Sequence, residues 1–300
     1  MSVRSRALTT TVLTGLAAGA CAVPGHAADV YTKAPVPALE TPQPAVDGVN
    51  WKAAGLGGTF ADRDLYAFQG SYSLPLGHSW GLQLDGIAGS YDGRFVGAAA
   101  AHLFTRDPSR GLLGAFASVT HWDRFGGLNV GHFAGEFELY AGRWTVQAVL
   151  GVETGNSGSQ TIANVIESFD IRTRFFDKVN LSYYLTDDWK AFVGHRYVGG
   201  KNALALGSEL AFRINGPVMG SLFVEGRIGE DDFKGIWGGL RFYAGAKDKT
   251  LIQRHRQDDP IEWNPETLFG ITNSQQSTSL PSNKKNKPPC PEFPFCDGPN

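Results

Sequence analysis

The stretch WTVQAVLGVE, Trp144 to Glu153, alternates along its whole length. Trp144, Val146, Ala148, Leu150 and Val152 are apolar, whereas Thr145, Gln147, Val149, Gly151 and Glu153 are smaller or polar. A period of two marks a strand with one greasy face and one wet face. The same texture runs from about residue 47 to 245, cut by turn signals such as ADRD, YDGR, TRDPSR, DRFGG, TDD, NGP and GEDD. Twelve segments can be read, from GVNWKAAGLGGTF to FKGIWGGLRFYAG. That allots roughly 17 residues to each strand with its turn, which suits membrane-barrel strands of about 10 residues.

What the greasy face touches is decided by bulk. Segments such as GAAAAHLFT, LGAFASVT and NVGHFAGEF alternate glycine or alanine with single apolar residues. A soluble sandwich or barrel, the rival reading, needs larger interior residues, whereas lipid fills an outer surface without interlocking side chains. The best helix-like stretch, SQTIANVIESFDI, lies in the one long connection, about 154–173. The predicted fold class is therefore all-β, an antiparallel up-and-down transmembrane β-barrel of about 12 strands. Trp51, Trp80, Trp122, Trp144, Trp189 and Trp237 all fall near strand ends, where membrane-interface girdles place amphipathic rings.

The flanks differ in composition. Residues 1–27 combine a basic head, an apolar stretch and small residues at Gly25 and Ala27, as in a secretory signal peptide. A membrane anchor and lipid attachment at Cys21 are the rival readings. Residues 28–46 are proline-rich and read as a periplasmic linker, 47–246 as the barrel, and 247–300 as a charged then Pro/Ser/Asn-rich tail. Cys290 and Cys296 flank PEFPF and are expected to form one local disulfide of an exported protein. An even strand number puts both chain ends on one side, expected to be the periplasm, and the long connection outside. A formal charge of -2 without a basic cluster in the body of the chain argues against a nucleic-acid partner. The partners expected are outer-membrane lipid and the barrel-assembly machinery.

Two short segments carry a resemblance. The mature start ADVYTKAPVP resembles the start of alphaproteobacterial outer-membrane proteins, and KDKTLIQRHRQDDP (247–260) resembles a segment after the final strand of uncharacterised, porin-like barrels of that group. The last strand partly resembles the barrel-assembly signal, with Gly239 and Phe242 in the pattern and Ala244 where a second aromatic is usual. The resemblance implies an outer-membrane barrel and carries over no catalytic residue.

Function would lie on the inward face. Alternation points Glu136, Glu138, Glu209, Arg213, Glu225, Arg227 and Arg241 into the lumen. Glu136 and Glu138 stand on one wall, and the arginines on the roughly opposite one. Opposed charged walls would sort solutes in a narrow passive channel for small polar solutes or ions. The alternative is a structural or adhesive barrel, its lumen closed by salt bridges and its outer loops binding a partner. A weaker alternative is an outer-membrane hydrolase, for which the sequence offers only the turn pair His78-Ser79 and the acidic pair Asp231-Asp232. No P-loop, dinucleotide fingerprint or metal-ligand cluster is visible, so no enzyme activity, cofactor or metal is expected. The segment IQRHRQ could also fold back as a plug, its arginines meeting Glu136 and Glu138.

Overall fold

A computed structural model describes residues 43–280. Twelve antiparallel strands close into a barrel: β1 (Asn50–Phe60), β2 (Arg63–Leu76), β3 (Trp80–Tyr91), β4 (Arg94–Asp107), β5 (Gly111–Trp122), β6 (Leu128–Ala141), β7 (Trp144–Gly155), β10 (Arg174–Thr186), β11 (Trp189–Val198), β12 (Lys201–Asn215), β13 (Val218–Gly229) and β14 (Lys234–Ala244). Each strand pairs with its predecessor, and β1 pairs with β14 to close the ring. The connection between β7 and β10 holds β8 (Gly158–Ile162) and β9 (Val165–Phe169), a hairpin joined by β15 (Gln275–Ser279) in a separate three-stranded sheet. The helix-like stretch SQTIANVIESFDI is thus a hairpin, turned at Ala163 with φ +53°. Its spacing of apolar residues suited either structure, and pairing with β15 settled it.

Alternation sets what each wall meets. On β12, β13 and β14 the residues Leu204, Leu206, Leu210, Phe212, Leu222, Val224, Ile228, Ile236, Leu240 and Phe242 are exposed on the outer surface. Their neighbours in sequence, Glu209, Arg227 and Arg241, are buried inside. Leaving ten such side chains in water would cost about 15–30 kcal/mol, so this surface is built for lipid. In WTVQAVLGVE, Trp144, Leu150 and Val152 face out, while Thr145, Gln147, Val149 and Glu153 face in.

The two mouths differ. β1 starts at one of them, here the near mouth, where Trp51, Trp80, Trp144 and Trp189 form an exposed ring of indoles. Trp122, expected in a girdle, instead faces inward at the far mouth, as does Trp237, and both are buried. They pack with Phe60, Tyr91, Phe169 and Phe269 in an aromatic cluster. Parity explains this: Trp122 shares its face with Thr120 and Ser118, and Trp237 with Arg241.

After β14 the chain re-enters the barrel. It forms α1 (Leu251–Gln257), α2 (Asn264–Thr267) and α3 (Phe269–Thr272), then pairs β15 with β9. α1 starts where Gln253 Oε1 accepts the Thr250 N–H at 3.0 Å, a local cap for a first turn. It docks on the near-mouth turn between β10 and β11, where Leu251 N–H donates to Asp188 at 2.9 Å. At the opposite end Phe269 meets Phe60 and Phe233, both at 4.6 Å between ring centroids. Residues 251–274 therefore cross the lumen from mouth to mouth. The first described residues thus lie at the near mouth and the last at the far one. The end of the proline-rich stretch is also seated: Ala45 and Val46 are buried, and Ala45 N–H donates to His78 O at 2.9 Å. Cys21, Cys290, Cys296 and the signal peptide lie outside the described residues.

The far mouth is covered by the β8–β9–β15 sheet. Glu167 on β9 ties it down, accepting from Arg124 at 2.7 Å, Arg63 at 3.4 Å and Gln275 at 2.9 Å.

Candidate functional site

The site is the lumen wall with the segment that fills it. Inward parity gathers cations on one side: Lys52 of β1, Lys178 of β10, Lys190 and Arg196 of β11, Arg227 of β13 and Arg241 of β14 are all buried. The other side carries Asp85, Glu136, Glu138 and Glu153, from β3, β6 and β7, also buried. A barrel with such walls has a field across its lumen, as the alternation predicted for an empty pore. Here that field holds the returning chain in one orientation.

The segment turns its acids to the basic wall. Asp259 lies 2.9 Å from Lys52 Nζ. Glu262 is gripped by Arg241 at 2.7 Å, Gln69 at 2.6 Å, Ser71 at 2.9 Å and Lys52 at 3.6 Å. Glu266 takes Arg196 Nε on both oxygens, at 2.9 and 2.7 Å, and also pairs with Arg227. Trp263 is buried between, with the cationic heads of Arg196 at 5.3 Å and Lys178 at 5.6 Å from its ring. On the other side Arg256 donates to Trp144 O at 2.9 Å and Thr145 Oγ1 at 3.0 Å, and lies over the Tyr140 ring.

The residues singled out by alternation therefore divide. Glu136 bonds His102 Nδ1 at 2.7 Å, whose Nε2 meets Asp85 at 3.0 Å. Glu138 accepts from Tyr140 at 2.6 Å and Gln147 at 2.9 Å. Neither meets an arginine of IQRHRQ: Arg254 turns instead to Asp258 and Pro217 O. Glu209 pairs with Arg241 at 3.0 Å and Glu225 with Arg227 at 2.9 Å. Arg213 does not line the lumen. β12 runs past it with a register shift between Arg213 and Asn215, and it is exposed at the near mouth, paired with Asp248. Alternation missed the partners supplied from outside the strands, Asp259, Glu262, Trp263 and Glu266. The excess of inward cations on β10–β14 was the signal that could have found them.

α1 forms a latch at the near mouth. Tyr243 O–H donates to Glu209 Oε1 at 2.6 Å. The His255 Nε2–H, 3.2 Å off, then donates to that hydroxyl, and Tyr184 O–H donates to Nδ1 at 2.8 Å. Asp258 caps the helix between Lys249 and Arg254.

A serine–histidine–glutamate row also lies in the wall. Ser118 Oγ is 3.2 Å from His132 Nδ1, and His132 Nε2 is 3.4 Å from Glu153 Oε2. The three are direct cross-strand partners on β5, β6 and β7. All are buried beneath α3, whose Gly270 abuts Glu153. Glu153 is also engaged by the Gly199 N–H at 2.8 Å and Arg174 at 3.1 Å, so the row reads as part of the wall ladder. His78 and Ser79 are exposed in the near-mouth turn, and Asp231 pairs with Lys201 at 3.3 Å.

No family model matches the sequence, and no curated protein does. Among solved structures, similar ones include an outer-membrane channel from Pseudomonas putida F1, 11% identical, covering 68% of this chain and 97% of its own, with a TM-score of 0.48. The translocator domain of the autotransporter NalP from Neisseria meningitidis is 11% identical over 66% of this chain and 90% of its own, TM-score 0.46. The KdgM porin is 8% identical over 65% and 99%, TM-score 0.43.

Proposed function

We propose that the protein is an outer-membrane barrel closed by its own chain, a structural or adhesive anchor and not an open porin. The observation that carries this reading is the passage of residues 251–274 through the whole lumen, with Asp259, Glu262 and Glu266 seated on wall cations. The periplasm lies at the near mouth, with its indole ring, and the far mouth with its β8–β9–β15 sheet is the outer surface that meets a partner. Lipid is the partner of the outer wall, and the barrel-assembly machinery its route in. A narrow channel is the second reading, supported by the field between the two walls once the segment moves aside.

The test is conductance of the refolded full chain in a planar bilayer, with folding proved by heat-modifiable gel mobility. A folded, silent barrel is expected. Steady stepwise currents from the unaltered chain would sink the closed-lumen reading and favour the channel.

A further inference from the structure

Two details of the basic wall are more than closure requires. The first is the completeness of its carboxylate seats. At Glu262 each oxygen has its own donors: Gln69 and Arg241 on Oε1, Ser71 and Lys52 on Oε2. At Glu266 the single Nε–H of Arg196 is shared between both oxygens and Arg227 adds a second cation. Charged donors paired with neutral ones, all buried, are what carboxylate recognition needs. The second is spare capacity. A cavity of about 20 Å³ lies between the seats, lined by Gln69, Asn180, Arg196, Arg227 and Arg241 among others. It has room for one water-sized molecule. Arg227 Nε, Arg241 Nε and Asn180 Nδ2 are buried without a hydrogen-bond partner among the described residues. The returning chain thus supplies fewer acceptors than the wall has donors.

The charge balance points the same way. Without Asp259, Glu262 and Glu266, the six cations Lys52, Lys178, Lys190, Arg196, Arg227 and Arg241 keep Glu209 and Glu225 as the carboxylates of their own wall in direct ion pairs among the described residues. The acids across the lumen have partners of their own in His102, Tyr140, Gln147 and Arg174.

We propose that the wall of Lys52, Arg196, Arg227 and Arg241 is a carboxylate-binding surface that Glu262 and Glu266 occupy as a built-in ligand, so that solutes entering in their place are carboxylate anions. The seats rest on the reading that the chain itself closes the lumen, and the solute class on the channel that opens once that segment moves aside. Each seat holds one carboxylate, so a dicarboxylate replacing both glutamates fills the two seats together.

The seats are tested in the full chain by Glu266→Ala and, separately, Glu262→Ala, following the heat-modifiable midpoint in sodium acetate and in sodium chloride of equal ionic strength. Acetate should restore at least half of the midpoint lost by each variant and leave the unaltered chain unmoved. Variants that respond to acetate no more than the unaltered chain overturn the seats, and reading two seats guards against one variant failing to fold. Currents from Glu262→Ala/Glu266→Ala in a potassium chloride gradient should prefer chloride and be blocked by succinate. Cation-preferring or unselective currents, or a folded silent barrel, overturn the solute class. Currents from the unaltered chain would count against the closed-lumen reading alone, and the acetate response would still judge the seats.

Discussion

Arg227→Met should lower the stability of the closed barrel by about 3–5 kcal/mol, the cost of removing one partner from a buried ion pair. Arg227 is 1% exposed and meets Glu225 and Glu266 together. Its backbone contacts, to Gly226 O at 2.7 Å and Leu206 O at 3.4 Å, fix the guanidinium against the wall. Its head also lies 4.6 Å from the Trp237 ring, so its stem and face fill space as well as carry charge. Methionine keeps most of that bulk and removes the charge, leaving Glu266 dependent on Arg196. The loss should therefore be electrostatic, and Arg227→Met/Glu266→Gln should recover most of it, because neutral groups of similar shape replace both charges. The readouts are the heat-modifiable midpoint and protease access to residues 251–274. A single variant within about 1 kcal/mol of the unaltered chain would refute the seat, and a double variant no better than the single would place the effect in packing.

The barrel itself was legible because lipid and lumen impose opposite chemistry on alternate residues. Leu204, Leu206, Glu209, Leu222, Val224, Arg227, Ile236 and Arg241 all take the face that parity assigns them. The returning segment was harder, because it has no single face. Leu251 packs on the near-mouth side with Tyr184 and Tyr243, Trp263 mid-lumen with Phe116 and Phe176, and Phe269 at the far mouth with Phe60. A chain that meets a different wall every few residues shows no periodicity. Only its acids, in DDPIEWNPE, answer a pattern visible in the strands, the inward cations in excess on one wall. The hairpin β8–β9 was misjudged for a related reason: its order depends on β15, more than 100 residues later, through the Phe169–Gln275 to Val165–Ser279 pairing.

The seam between β1 and β14 should be the most sensitive place on the barrel, and Gly239→Ala the change that exposes it. Gly239 pairs with Leu56, and a Cβ built on it would lie 2.0 Å from Gly55 O, 2.9 Å from Gly55 C and 3.0 Å from Leu56 Cα. Across the same seam a Cβ on Gly58 would lie 2.1 Å from Ile236 O. All these obstacles are backbone, so no side chain can swing away. The same close approach recurs between other strands, at Gly89, Gly151 and Gly229, and glycine is what such a coiled sheet admits; what sets the seam apart is that its pairing closes the ring. A methyl there forces the strands apart at about 3 kcal/mol or more. The cost falls on the pairing that closes the ring, which is also the pairing with the greatest separation along the chain. Open edges would then be left on β1 and β14, each with unpaired backbone groups that lipid cannot satisfy. The expected result is a large loss of the heat-modifiable, closed form on refolding. Gly135→Ala is the matched control, since a Cβ there meets nothing within 4 Å, and it should refold like the unaltered chain. If Gly239→Ala closes as well as Gly135→Ala, the seam tolerates widening, and the glycines at 58 and 239 owe their place to something other than strand approach.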